Sequence, residues 1–263
     1  MANAWTTTGP AVRVDQPAVQ RIGLADIRDA LARGVDDFLA IPTQLLFLGL
    51  IYPLVGLVAA RAAWGGDVLP LLYPMVAGLS LMGPVAALGI YEISRRRERG
   101  EAVSWLNAFD VLRSPAIGTI AALGIMLAVI FVAWLFAAQS IYRMTLGELG
   151  PSTLGGFARD LLDTPEGWRL IVIGNAVGFL FALLVLALSV VSFPLLLDRN
   201  TSLATAIQTS LRACLASPGP MALWGLIVAG ALLLGCIPFF VGLAVVMPIL
   251  GHATWHLYRR VVA

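Results

Sequence analysis

Long apolar runs alternate along this chain with short segments rich in arginine. Runs of about 20 apolar residues match the hydrocarbon thickness of a bilayer. Six such runs predict membrane-spanning helices at about 42–63, 68–91, 115–140, 168–196, 220–236 and 238–258. In lipid the backbone must satisfy its own hydrogen bonds, so each run is expected to be helical. Gly235 and Pro238 predict a tight turn between the last two.

A second pattern precedes alternate spans. "GLADIRDALARGVDDFLAIP" leads into the first, "EAVSWLNAFDVLRSP" into the third and "NTSLATAIQTSLRACLASP" into the fifth. In the first, Leu24, Ile27, Leu31, Val35 and Phe38 recur at helical spacing opposite Asp26, Asp29, Arg33 and Asp36. Trp105, Phe109 and Leu112 form the stripe of the second, and Leu203, Ile207 and Leu211 that of the third. Pro42, Pro115 and Pro218 stand where one helix stops and the next begins. The expected fold is therefore an all-α membrane protein with six transmembrane helices as three hairpins. Each hairpin is preceded by a cytoplasmic amphipathic helix, giving repeats at about 22–92, 101–197 and 200–260. Residues 1–21 form a polar arm, expected to be disordered, with no apolar core or cleavage pattern of a signal peptide.

Composition strengthens this reading. Of 263 residues, 59% are hydrophobic and 12% charged, and the mean hydropathy is +0.89. A soluble domain could not cover its surface with so few polar groups. The net charge of +2 gives little support to a nucleic-acid partner. All the cationic side chains are arginine, and they divide unevenly. Thirteen fall in the N-terminal arm, the loops after spans two and four, and the tail, whereas Arg61, Arg143, Arg159 and Arg169 fall on the other side. The positive-inside rule then places both termini in the cytoplasm, and the expected location is a bacterial inner membrane. Cys214 and Cys236 fall on opposite sides, so no disulfide is expected. The outer segment 143–167 contains "FARDLLDTPEGW", which predicts a short surface helix with Trp168 as an interfacial anchor. Asp160, Asp163 and Glu166 there read as a solvated face.

The chain holds two histidines, in "GHATWHLYRR" (251–260). His252 and His256 are four residues apart and share one helix face. Such a pair can chelate one transition metal, but it cannot supply both axial ligands of one haem. A metal site would need more ligands, for which Glu92, Asp198 and, less well, Cys214 are the candidates. Counting about 1.5 Å per residue from Arg259, His256 lies about 4.5 Å and His252 about 10 Å into the sixth span. An ionisable group at that depth must face protein or a water-filled cavity. The leading reading is an ordered helix end, with Trp255, His256 and Tyr258 as interfacial anchors; proton or ligand handling ranks second and a metal site third. No cofactor is expected.

If the repeat holds, the second helices of the three hairpins end at equivalent places. These ends read "YEISRRRE", "FPLLLDRN" and "WHLYRR". Glu92 with Arg95, Asp198 with Arg199, and His256 with Arg259 or Arg260 are expected to form one polar ring at the cytoplasmic interface. "SRRRERGE" reads as a positive anchor for anionic headgroups. Gly174 and Gly178, flanking Asn175, suit close helix contact and an interhelical hydrogen bond. Gly83, Pro84 and Pro248 are expected to loosen their helices. No nucleophile motif, phosphate loop, CxxC or paired-carboxylate site occurs, so an enzyme is not the leading reading.

At "GHATWHLYR", "YEISRRRERG" and "FPLLLDRN" the chain resembles a family of predicted bacterial integral membrane proteins, a domain of unknown function, from about residue 22 to 260. Some members of that family carry the label of a cytochrome c oxidase subunit. Two histidines cannot furnish the haem and copper ligands of a catalytic oxidase subunit, so the label implies at most an accessory or assembly role. The resemblance carries over Tyr91, Glu92, Arg95, Asp198, Arg199, His252 and His256 as candidate residues, with Arg259 beside them in the ring. The expected function is a non-catalytic accessory or scaffold component of a membrane complex such as a respiratory one, with the lipid bilayer and complex subunits as partners. The alternatives are a small carrier or channel for protons or ions, using His252 and Glu92, and a metal- or haem-handling protein.

Overall fold

The computed structural model describes residues 17–41, 69–147, 154–238 and 240–263. The described residues are all-helical apart from an isolated antiparallel bridge between Val19 and Val262. The elements run α1 (Leu24–Ala40), α2 (Leu69–Leu81), α3 (Gly83–Ala86), α4 (Leu88–Glu98), a 3-10 helix (Trp105–Arg113), α5 (Ile117–Thr145), α6 (Leu154–Asp163), α7 (Pro165–Ser189), α8 (Ser192–Arg199), α9 (Leu203–Ala216), α10 (Pro218–Cys236) and α11 (Leu243–Val261).

Three stretches among the described residues are long and apolar enough to cross a membrane: α5, α7 continuing into α8, and α10. The first expected span, with Pro42, lies outside the described residues. The second is not one rod, because α2, α3 and α4 are separated at Met82 and Ala87. Pro84 lies in the first turn of α3, where its missing N–H breaks no hydrogen bond. The fourth pauses at Val190–Val191 before α8. The sixth starts five residues later than expected, at Leu243, because turns occupy 237–238 and 240–242. Gly235 and Gly242 pin that hairpin; a Cβ on Gly242 would lie 2.8 Å from the Gly235 carbonyl oxygen. Pro248 sits inside α11 without interrupting it. The short helix expected within 143–167 is present as α6, and the Thr164 hydroxyl caps α7 by accepting from the Gly167 amide at 3.0 Å. Trp168 is largely exposed and donates its indole N–H to the Leu162 carbonyl.

The tightest packing is at one end of the molecule. There α4, α8 and the last turns of α11 meet. Ile90, Ile93, Phe193, Leu195, Leu196, Trp255, Leu257 and Tyr258 are all buried in this head. α1 lies antiparallel along α11 and is clipped to it by Gln20 N–H to Val261 O at 2.8 Å. Ser217 closes the seam from α9 by accepting the buried Ile22 amide at 3.0 Å.

The apolar stripes of the amphipathic elements are only partly buried, and small residues line much of the packed face. In α1 the buried residues are Ile27, Ala30, Gly34 and Asp37, while Leu24 is 67% and Leu39 73% exposed. In the second element, which is a 3-10 helix and not an α-helix, Ala108 and Val111 are buried while Trp105, Phe109 and Leu112 face outward. In α9, Ala206, Ser210 and Ala213 go in, Leu203 and Ile207 are half-buried, and Leu215 is 80% exposed. Small residues let backbones approach closely, and large stripes left outside suit a bilayer interface. Gly34 shows how close the approach is: a Cβ there would lie 2.7 Å from Ala253 Cβ and 2.8 Å from the Ile249 carbonyl oxygen. Gly34→Val is therefore expected to prise α1 from α11 and cost about 1–3 kcal/mol, read as a lower unfolding midpoint in detergent.

In the stem, Asn175 makes the interhelical bond expected of it, accepting from Tyr73 OH at 2.9 Å. Gly178 packs against the Trp134 ring, whereas Gly174 faces open space, so only half of the small-residue pair is used. Tyr73→Phe should cost about 0.6 kcal/mol, typical of such bonds in membrane proteins, and a loss above about 2 kcal/mol in the same unfolding assay would contradict this.

Candidate functional site

Most of the expected polar residues gather in the head; Glu92 has its expected partner Arg95, while Asp198 and His256 take others. Glu92 projects from α4 with its side chain 2% exposed. Arg95 grips both its oxygens, Nε to Oε2 at 2.8 Å and NH2 to Oε1 at 2.9 Å. Arg96 adds Nε to Oε1 at 2.7 Å and reaches Asp110 at 3.2 Å. These are i,i+3 and i,i+4 spacings on one helix, which puts both guanidinium groups over the carboxylate. Tyr91 is buried beside Thr254, away from the ion pairs.

Asp198, at the end of α8, accepts from Tyr258 OH at 2.8 Å and from Arg259 at 3.4 Å. Its expected partner Arg199 stays at 4.0 Å and instead donates to the Ala263 carbonyl. Arg259 also donates to Glu98 at 3.0 Å, and Glu98 accepts the Trp255 indole N–H at 3.1 Å. Asp29 joins Arg260 at 2.8 Å and Arg33 at 3.1 Å. The hydrogen bond from Arg260 holds the Asp29 carboxyl below its usual value. Asp29, Arg33, Glu98, His256, Arg259 and Arg260 line a cleft of about 280 Å³.

His256 does not pair with Arg259 or Arg260 as expected. Its Nε2 lies 2.8 Å from Asp37 Oδ2. The same oxygen accepts from Ser94 Oγ at 2.9 Å, and Ser94 Oγ is 2.6 Å from His252 Nδ1. Arg97 holds the other Asp37 oxygen at 3.1 Å. Burial alone would raise the Asp37 pKa, but the hydrogen bond and charge of His256, with Ser94 and His252, outweigh it and hold the carboxyl below its usual value. A carboxylate depressed on folding stabilises the fold above its unfolded pKa and loses that contribution as the pH falls through its folded one. Asp37 should therefore contribute fully above about pH 4 and fade below. Asp37→Asn should flatten acid unfolding followed by circular dichroism between pH 5 and 2, and an unchanged acid limb would contradict the assignment.

The metal reading finds no completed ligand set. No group of three or more His, Cys, Asp or Glu suited to a metal ion occurs among the described residues. Glu92 and Asp198, named as companions for the histidines, are taken by arginines and Tyr258. Burial pushes the Cys214 thiol up to about 11, away from the thiolate a metal needs. Both cysteines are free. Sequence reasoning missed Asp37, Ser94, Arg97 and Glu98 as members of this cluster. Asp37 was legible only as one of two acids in "VDDF", and its burial depends on which face of α1 packs.

The apolar helices and the charged head they carry define the class: a helical integral membrane protein. Residues 72–198 match the family described as "Predicted integral membrane protein (DUF2189)", a family of unknown function, which shows the resemblance read from the sequence. The matched stretch contains "YEISRRRERG" and "FPLLLDRN" but not "GHATWHLYR". No curated protein and no solved structure matches the chain.

Proposed function

We propose that this protein is a non-catalytic accessory or scaffold component of a membrane complex, a respiratory complex being one option, in a bacterial inner membrane. The observation that carries this is the saturation of the head. Glu92, Asp198, Glu98 and Asp29 each have an arginine within hydrogen-bond reach. Mutual pairing of this kind rigidifies a polar network and fixes helices in register. The reading includes six spans in three hairpins with both termini cytoplasmic. The meeting of α4, α8 and α11 at one end supports it, as do the outward stripes of α1, the 3-10 helix and α9, which suit one membrane surface. Below the head, α5 and α10 leave most of their apolar surface outside the chain's own core, available to lipid and to partner helices.

Affinity purification of the tagged full chain from native membranes in mild detergent, with mass spectrometry of copurifying chains, tests this. Stoichiometric recovery of the same membrane subunits in several detergents is the expected result. Recovery of this chain alone in all of them would sink the scaffold reading. Ion flux after reconstitution alone into liposomes, lost on Glu92→Gln, would favour the carrier instead.

A further inference from the structure

His252 has 0% of its surface exposed, and its two ring nitrogens are treated differently. Nδ1 meets Ser94 Oγ at 2.6 Å, while Nε2 is buried with no hydrogen-bond partner among the described residues. A chain of single protons decides the state of this ring. Asp37, held ionised, can only accept. The one hydroxyl proton of Ser94 is thus committed to Asp37 Oδ2, and Ser94 Oγ must accept from His252 Nδ1–H. By the same logic His256 carries its proton on Nε2, facing Asp37. His252 is then the neutral Nδ1–H tautomer, and its Nε2 is a bare lone pair held in protein.

A histidine kept only for packing has no need of this. An orphaned buried acceptor is disfavoured, yet three side chains from two other helices cooperate to aim it: Asp37 from α1, with Ser94 and Arg97 from α4. A carboxylate behind an imidazole N–H fixes the tautomer and stabilises the imidazolium formed when the far nitrogen takes a proton. Here the carboxylate acts across one hydroxyl.

We propose that His252 Nε2 is a proton-acceptor site, oriented by Ser94 and stabilised when charged by Asp37. The step is proton binding alone: the Nε2 lone pair takes H⁺ from a hydronium ion, whose O–H bond breaks to leave water as the N–H bond forms, and the Nδ1–H to Ser94 to Asp37 chain stays in place. The surrounding charges are set. Asp37 faces the ring from α1, Arg97 from α4 opposes a second positive charge, and His256 lies one turn along α11. Asp198 and Arg199 of α8 approach the tail of α11 instead, around Tyr258, Arg259 and Ala263, and α10 carries no charged side chain. His256 lines the charged cleft and shares Asp37 with His252, so uptake at Nε2 reaches the cleft through that carboxylate.

The test is nitrogen-15 NMR of the histidine-labelled full chain in lipid nanodiscs, with the two rings assigned by His256→Asn. At neutral pH His252 should be the Nδ1–H tautomer, and on acidification Nε2 should gain a proton while the helical circular dichroism is retained. Ser94→Ala should raise the Nε2–H tautomer at least tenfold, and Ser94→Thr, which keeps the hydroxyl, should restore the original form. Nε2–H in the resting wild type would overturn the proposal, as would helix loss before any second proton binds, or a tautomer indifferent to Ser94→Ala. The wild-type titration stands alone if Ser94→Ala does not fold. The result is independent of which chains copurify, so this proposal and the scaffold reading fail separately.

Discussion

Glu92→Ala destabilises the head by about 3 kcal/mol or more, because removing one member of a buried ion pair strands its partners. The carboxylate is 2% exposed, and it holds Arg95 and Arg96, which are 21% and 28% exposed. The truncated site keeps two guanidinium groups facing each other across an apolar gap. Arg96 retains Asp110 at 3.2 Å, which offsets part of the loss, while Arg95 has no comparable second carboxylate among the described residues. Glu101→Ala is the matched control: Glu101 lies 3.8 Å from Arg96 and is 45% exposed, so its removal should cost less than about 1 kcal/mol. Chemical unfolding in detergent, followed by tryptophan fluorescence, compares the two. Equal effects would show that Glu92 is no structural clamp and would remove the main support for a scaffold.

Trp255→Ala has an effect of similar size, about 3–5 kcal/mol, from a different cause. The ring is 0% exposed and packs on Tyr258 with centroids 5.5 Å apart. Its N–H goes to Glu98, which in turn holds Arg259. Alanine leaves a cavity at the junction of α4 and α11 and frees Glu98 from one of its two donors. Trp255→Phe keeps most of the apolar contact and loses only the N–H, so it should cost about 1 kcal/mol. If the two variants match, the hydrogen bond to Glu98 outweighs the packing, and the cavity account is wrong.

Local signals in the sequence were good guides to this fold. Pro115 and Pro218 mark element boundaries, where a missing N–H costs no helical hydrogen bond. Gly83 and Pro84 mark the break between α2 and α4, and Glu92–Arg95 follows from i,i+3 spacing alone. What the local pattern did not reveal is the packed face of α1: Leu24 and Val35 of its apolar stripe stay exposed, while Ile27, Ala30 and Gly34 are buried, Gly34 against Ala253. That face decides whether Asp37 points to solvent or into the head. His252 and His256 are legible as a same-face pair, but their shared carboxylate lies 219 residues from His256, beyond any local pattern. The same holds for Trp255, legible as an anchor but not as the donor that Glu98 requires.

The antiparallel seating of α1 on α11 has a consequence for how this protein is made. A chain is synthesised from its N-terminus, and early segments fold before late ones exist. α1 emerges long before its counterpart, so during translation Gly34 has no Ala253 to meet and Asp37 has neither histidine. Loop closure over more than 200 residues then sets the last step. A nascent chain that stalls short of Gly251 carries an α1 without its α11 counterpart and an Asp37 that only Ser94 and Arg97 can hold, so an unfinished molecule differs from a finished one at this seam.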